Sequence, residues 1–374
     1  MKWAKFLYLS VLMGFFACTS SEEDSNRAKT IQLDKIPIQE NKLLIDRAIL
    51  LGSDSLDLLG SELRAEFSDH GFFVSNYNGP KAIHHFSMEG EHLGRIVEVG
   101  EAPGQVLRFE EFRIHEDTLI VNTGKGDHID LNFFHIPDHR LVKTIETEVS
   151  AFSFYPNEDG SFWLYSGLNK AVGDYRLQRI DQKGEIIEKR LFNNFSDALI
   201  PFTEKSFFDG GERLLFREPL FPEIYEVLED SLKLVYKMDF GTYSIPDEIW
   251  EIEDPFKLFE QLNKNGFADS YSIFENEKYF LVDIVLQRER DYRKELLIID
   301  RLSGDNRKIE ITQDQFPEYY SPFALDGNHV LFIAYAPALI QRLDELNATE
   351  KVLEQLKVLE EDSNPVILYG RLEK

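Results

Sequence analysis

The sequence predicts an all-β chain folded as a six-bladed β-propeller with four-stranded antiparallel blades. Three observations carry this. Short apolar runs recur in meanders of roughly 50 residues, the length that a four-stranded blade needs. The first turn of each meander has one chemistry, rich in acids, Asn and Gly: Asp69-His70-Gly71, His115-Glu116-Asp117, Asn157-Glu158-Asp159-Gly160, Asp209-Gly210-Gly211, Glu275-Asn276-Glu277 and Asp326-Gly327-Asn328. Such residues tolerate left-handed backbone and cap local donors. The last meander is one strand short, and the N-terminal region holds one strand too many. The 30 Phe and 15 Tyr of the 374 residues favour strands as well.

In chain order, residues 1–17 read as an export segment. Lys2 and Lys5 give it a positive start, and 6–16 is an apolar stretch too short to span a bilayer. It ends at Phe16-Ala17-Cys18, and Cys18 is the only cysteine. A small residue before a lone cysteine at this point resembles a bacterial lipobox, which implies lipidation of Cys18. No disulfide is then available within the chain. Residues 18–29, with Glu22, Glu23 and Asp24, read as a flexible acidic tether. Acids just after a lipidated cysteine also resemble the surface-export signal of Bacteroidetes lipoproteins. The expected address is the outer membrane, facing the periplasm or the cell surface. Residues 30–374 are the expected propeller domain.

The spare strand is 43–51. With strands labelled A (inner) to D (outer), blade one is expected at 63–67, 72–75, 82–86 and 94–99. Blade two is expected at 109–114, 118–122, 129–135 and 141–146, and blade three at 151–155, 161–165, 175–180 and 186–191. Blade four follows at 202–207, 213–216, 223–227 and 233–238, and blade five at 270–274, 278–285, 294–300 and 307–311. Blade six has only 321–325, 329–334 and 365–372, so the N-terminal strand is expected to complete it and lock the ring. Two stretches break the strand rhythm. Residues 246–263 place Ile249, Ile252, Phe256, Phe259 and Leu262 at helical spacing, with Asn265-Gly266 as a stop, and 337–361 does the same with six leucines. Each is expected to be one amphipathic helix packed on the propeller. By topology, both rise from the face that carries the B–C and D–A loops.

Four short segments now suggest a family: Val99-Gly100-Glu101-Ala102-Pro103-Gly104, Arg217-Glu218-Pro219-Leu220-Phe221-Pro222-Glu223-Ile224-Tyr225, Met238-Asp239-Phe240-Gly241 and Asn364-Pro365-Val366-Ile367. With these the chain resembles the six-bladed β-propeller lipoproteins of Bacteroidetes, a TolB/NHL-like group. The family's Gly-rich turn is only partly matched by EAPGQ at 101–105. The resemblance implies turn and closure roles for the four segments, and an envelope location.

The formal net charge of −26, or −28 without residues 1–17, argues against nucleic acid as a partner. Positive charge is nevertheless found in the B–C loops. Tyr77, Lys81, Lys125, Arg217, Arg288, Arg290 and Tyr292, with Arg108 on the D–A side, are the candidate ligand-binding residues. Together they would make a basic, aromatic mouth for an anionic glycan or a carboxylate-bearing peptide. His84 and His85 are adjacent in a strand and point to opposite faces, so they cannot chelate one ion. His128, His135 and His139 lack zinc-ligand spacing. Neither a G-x-S-x-G elbow nor a P-loop occurs. The expected function is therefore non-catalytic binding by a membrane-anchored propeller, without a cofactor. The alternatives are a calcium-dependent hydrolase or lyase working in the central channel, and a structural subunit of an envelope complex.

Overall fold

The computed structural model describes residues 28–39, 43–52, 59–60, 63–76, 82–168, 170, 172–195, 205–311 and 322–373. The export segment, Cys18, Tyr77 and Lys81 lie outside the described residues. The described chain begins with β1 (Lys29–Gln32) and β2 (Leu44–Leu50). Four-stranded meanders follow. Blade one is β3 (Leu63–Ser68), β4 (Gly71–Asn76), β5 (Ala82–Phe86) and β6 (His92–Glu98), hydrogen-bonded in that order. Blade two is β7 (Glu111–His115), β8 (Thr118–Lys125), β9 (His128–His135) and β10 (Arg140–Glu146). Blade three is β11 (Ser153–Pro156), β12 (Phe162–Tyr165), β13 (Tyr175–Ile180) and β14 (Ile186–Phe192). Blade four is β15 (Phe207–Asp209), β16 (Leu214–Arg217), β17 (Glu223–Val227) and β18 (Leu232–Asp239). Blade five is β19 (Phe267–Glu275), β20 (Tyr279–Arg288), β21 (Asp291–Asp300) and β22 (Asn306–Ile311).

Blade six is built from both ends of the chain. Its inner strands are β23 (Pro322–Asp326), β24 (His329–Ala334) and β25 (Val366–Arg371), and β2 supplies the outer strand antiparallel to β25. The inner strands β3, β7, β11, β15, β19 and β23 each contact the next, and β23 returns to β3, so the ring is closed. The six-bladed architecture expected from the meanders and the spare strand is what the chain adopts.

The apolar residues explain why each blade is two-sided. In β4 and β5, Phe72, Val74 and Phe86 pack towards blade six, whereas Phe73 and Ile83 pack towards blade two. Alternate residues of a strand face opposite ways, so a strand sandwiched between blades is apolar on both faces. In the closing strand a bulge between Ile45 and Arg47 shifts the alternation, so that Ile45 and Ala48 both join the core between blades five and six while Ile49 joins the core towards blade one.

The N-terminal segment does more than supply β2. β1 adds a fifth, parallel strand to the outer edge of blade four. Residues 36–39 then run along the outer edge of blade five, where Lys308 donates to the Pro37 carbonyl and its own carbonyl accepts from Gln39 N–H. Residues 29–39 and 43–50 thus run along the outer edges of three successive blades, with Ile31, Leu33 and Ile36 buried. Only the last part was legible as a strand. Closure is fastened further by Asn364, whose side chain accepts from Leu59 N–H at 2.9 Å and donates to the Gly52 carbonyl at 2.8 Å. Gly90, at φ +90°, completes the seam, because a Cβ there would run into the Leu50 carbonyl.

Both expected helices are shorter and broken. The first stretch forms a 3-10 turn at Asp247–Glu251 and then α1 (Pro255–Asn265), N-capped by Asp254 and stopped at Gly266 with φ +83°. The break follows from Pro255, which disfavours helical backbone at the residue before it. The second forms α2 (Ala336–Gln341), a 3-10 turn at Leu343–Glu345 and α3 (Glu350–Leu356). Here Asn347 to Thr349 leave the helix to pair with the closing strand: Ile45 N–H donates to the Asn347 carbonyl and Thr349 N–H to the Ile45 carbonyl. Thr349 then caps α3.

Two outcomes are expected. Ile45→Ala, at a fully buried position of the closing strand, should cost about 2–5 kcal/mol in urea unfolding, whereas Leu302→Ala at an exposed turn should change stability by less than about 0.5 kcal/mol. Equal costs would show that closure does not limit stability. Asp46 of β2 accepts from His329 Nε2 at 3.1 Å and Arg371 Nε at 2.8 Å. Burial raises its carboxyl, but these bonds outweigh it and hold it below its ordinary value. A depressed carboxylate stabilises the fold above its unfolded value and loses that contribution as pH falls through the folded one. The melting-point gap between wild type and Asp46→Asn should therefore be open at neutral pH and close as the pH falls below the ordinary aspartate range. A gap independent of pH would refute the assignment.

Candidate functional site

The axis of the ring is lined by residues of the inner strands and by Lys205, just before β15. Among the described residues, two adjoining chambers open on it. The outer one, about 440 Å³, lies at the ends of β3, β7, β11 and β15 and at their A–B turns, among Asp69, His70, Glu116, Asp117, Tyr155 and Asp209. The inner one, about 270 Å³, lies among β3, β7, β15, β19 and β23 and is walled by Leu63, Phe207, Phe208, Phe274, Phe323 and Ile333. Glu66, Arg113 and Asp209 belong to both.

Charged side chains cross the axis at this waist. Lys205 of blade four contacts Glu66 of blade one, directly across a ring of six. Arg113 of blade two donates its Nη2 to Glu111 Oε1 and to the Phe207 carbonyl of blade four, both at 2.7 Å. Glu111 Oε2 accepts from Phe154 N–H of blade three at 2.9 Å. Arg64 donates to the Glu110 carbonyl. Burial, with the Arg64 guanidinium added, pulls Lys205 down to about 7. The Glu66 carboxylate favours the charged amine, so the positive charge of Lys205 at neutral pH depends on that partner. Burial also raises the Tyr155 phenol, helped by Asp209 and opposed by Arg113.

The sequence candidates are distributed otherwise. Arg217 is not on an open loop. It ends β16 with no exposed surface, and its Nη1 meets both Asp269 carboxylate oxygens at 2.7 and 2.8 Å. Asp269 also accepts from Leu220 N–H at 2.8 Å. The adjacent Glu218 accepts from Arg176 Nε at 2.6 Å and Tyr165 Oη at 3.2 Å. The conspicuous segment from Arg217 to Phe221 is therefore a staple joining blades three, four and five, and Arg217 cannot meet a ligand in solution. Arg288 gives its Nε to the Asn265 carbonyl at the end of α1 and its Nη2 to the Thr242 carbonyl, and it stacks 4.5 Å from the Tyr243 ring. Arg290 and Tyr292 are exposed at the β20–β21 hairpin. Lys125 pairs with Asp130 at 2.8 Å, and Arg108 pairs with Glu110 at 3.3 Å and lies over Gly124. The described candidates thus fall into two groups, on the opposite blades two and five, with Arg217 apart from both.

The histidines do not converge on one point. His84 Nδ1 lies 3.2 Å from His92 Nε2 on one face of blade one, and His85 Nδ1 lies 2.9 Å from His139 Nε2 on the other. His85 Nε2 faces the His70 carbonyl, which can only accept, so Nε2 carries the proton and Nδ1 accepts from His139. Burial lowers both His85 and His139. Among the described residues no three His, Cys, Asp or Glu side chains are placed to share a metal ion. The residues that sequence reasoning missed are Arg64, Glu66, Arg113 and Lys205. Arg64, Glu66 and Arg113 read as polar positions of inner strands, and nothing in the sequence says that they meet across an axis.

The buried pair yields a prediction. Arg217→Met should cost about 3–5 kcal/mol in urea unfolding, because it leaves the Asp269 carboxylate buried without its counter-ion. Adding Asp269→Asn should recover part of that loss. A single variant as stable as wild type would mean that Arg217 is not the strut described.

A family model described as "Domain of unknown function (DUF4934)" matches residues 53–371. Among solved structures, a protein of Bacteroides fragilis NCTC 9343 named as a candidate exported protein superposes with a TM-score of 0.77 at 14% identity, over 92% of this chain and 99% of that one. A member of the DUF4221 family from Bacteroides vulgatus gives 0.55 at 9% identity, over 89% and 98%. These likenesses show the fold. No curated protein matches the chain.

Proposed function

This chain belongs to the DUF4934 family, and on that premise we propose that it is an exported, lipid-anchored propeller of the cell envelope that binds a ligand in its axial channel without transforming it. The anchor is Cys18, the address is the outer membrane, and the kinship is with the TolB/NHL-like propellers. The observation that supports channel binding is the inner chamber. Its wall combines apolar and aromatic side chains with Arg64, Arg113, Lys205, Glu66 and Asp209. A few polar groups converging on an apolar hollow are what small-molecule sites require. The loop cations support the reading less well, since Arg288, Lys125 and Arg108 already have protein partners.

The test is a thermal-shift screen of the protein against acidic and neutral oligosaccharides, short peptides and small carboxylates. It would be repeated on Ser272→Trp, which fills the inner chamber, and on Arg290→Glu at the exposed hairpin. A ligand at about 100 times its Kd adds about 2.7 kcal/mol. The expected result is a shift that Ser272→Trp abolishes and Arg290→Glu preserves. The reverse pattern would transfer the site to the loops.

A structural-subunit reading has one observation of its own. α1 leaves Phe256 85% exposed and Phe259 38% exposed, whereas Leu258 and Leu262 hold the helix to the propeller. Cross-linking from Phe256 to a second envelope protein, with no ligand found for the channel, would favour it.

A further inference from the structure

The geometry points to the inner chamber as a carboxylate-recognition site, in which Arg113 takes the head group of a short amphipathic acid and Phe274 and Phe323 take its apolar body. This rests on the channel-binding reading and names its ligand class.

The argument begins with the valence of Arg113. A guanidinium has five N–H donors and keeps its charge in a protein. Arg113 has a side chain only 10% exposed. All its hydrogen bonds leave from one nitrogen, Nη2, to Glu111 and the Phe207 carbonyl. Among the described residues Nη1 makes no hydrogen bond, and it is the donor left for a ligand; Nε also lacks an acceptor but is enclosed, out of a ligand's reach. Its carboxylate partner is not wholly its own, because Glu111 also receives Phe154 N–H. The buried cation therefore retains donor capacity that the protein leaves unused, on a side chain that lines the chamber. A planar carboxylate suits such a fork better than any neutral acceptor.

The surroundings narrow the class. Lys205 is already matched by Glu66, so the chamber is not a general polyanion trap. Glu66 and Asp209 on its wall oppose a dianion such as a phosphate monoester. Phe207, Phe208, Phe274, Phe323 and Ile333 make much of the remaining lining apolar, which disfavours a glycan. At about 270 Å³ the chamber is near the small end of ligand pockets. A monoanion with a compact aryl or alkyl body satisfies all these conditions.

Phenylacetate and phenylacetamide share size and shape and differ in charge, so they are the probes. Calorimetric titration of the protein should give phenylacetate an affinity at least tenfold above that of phenylacetamide. Arg113→Gln should remove that preference, and Phe323→Ala should weaken both compounds. Arg113 also braces the ring, so circular dichroism must first show that Arg113→Gln is folded. Ser272→Trp offers a second route that leaves the guanidinium intact, and it should abolish phenylacetate binding. Equal affinity for the two compounds, binding of neither, or unchanged phenylacetate affinity in folded Arg113→Gln would overturn the carboxylate assignment. If another compound from the broader screen still binds and Ser272→Trp blocks it, only the ligand class falls. If binding survives Ser272→Trp, the channel reading falls with it.

Discussion

The ring depends on one pairing made between the two ends of the chain. β25, the last strand, is the C strand of blade six, and its outer edge would be a row of unmatched N–H and C=O groups. β2 covers that edge and in doing so makes the two ends inseparable from the fold. The neighbouring contacts reinforce the same seam. Asn364 ties residues 52 and 59 to the start of β25, Ile45 is paired on its other side by the interrupted helical insert, and Asp46 joins His329 and Arg371. The belt of residues 29–39 extends this logic to blades four and five. A propeller has little chain running between blades, so an outer segment that crosses three of them links elements that otherwise meet only face to face.

Apolar packing between blades is non-directional, and buried ion pairs give it register. Arg217 with Asp269, and Arg176 with Glu218, fix blade four against its neighbours on either side. Arg113 and Lys205 do so across the axis. Such pairs add little net stability relative to well-packed apolar groups, but losing one partner is costly. This explains how a strongly acidic chain uses its relatively few cations: many of them are structural partners for carboxylates, and fewer are left for the surface.

That use of cations bears on function. A basic mouth made of loop residues would need arginines free to meet solvent. Of the described candidates, Arg288 is instead committed to backbone carbonyls and a ring face, Arg108 to Glu110, and Arg217 is buried, which leaves Arg290 as the exposed arginine. The axis offers the opposite situation, charged groups held rigidly by inner strands around a partly apolar hollow. A site on strands is better preorganised than one on loops, and the waist between the two chambers gives it a defined floor.

What the sequence determined by itself was whatever depends on local pattern. The meander length, the in-phase turns at Asp209-Gly210-Gly211 and its counterparts, the spare strand and the stop at Gly266 are all local, and they sufficed for six blades and their closure. The sequence even held the break before α1, as Asp254-Pro255, although helical spacing obscured it. Tertiary structure alone decided which polar residues face one another. Arg113 is a cation flanked by apolar residues in a strand, and Arg217 is one at the end of an apolar strand. One became a fully buried strut and the other the centre of the channel, because strand register and ring curvature set the separation of residues up to 139 positions apart, as for Glu66 and Lys205. The same distance in sequence hid the belt, since β1 has no pattern of its own and is a strand only because blade four offers it an edge.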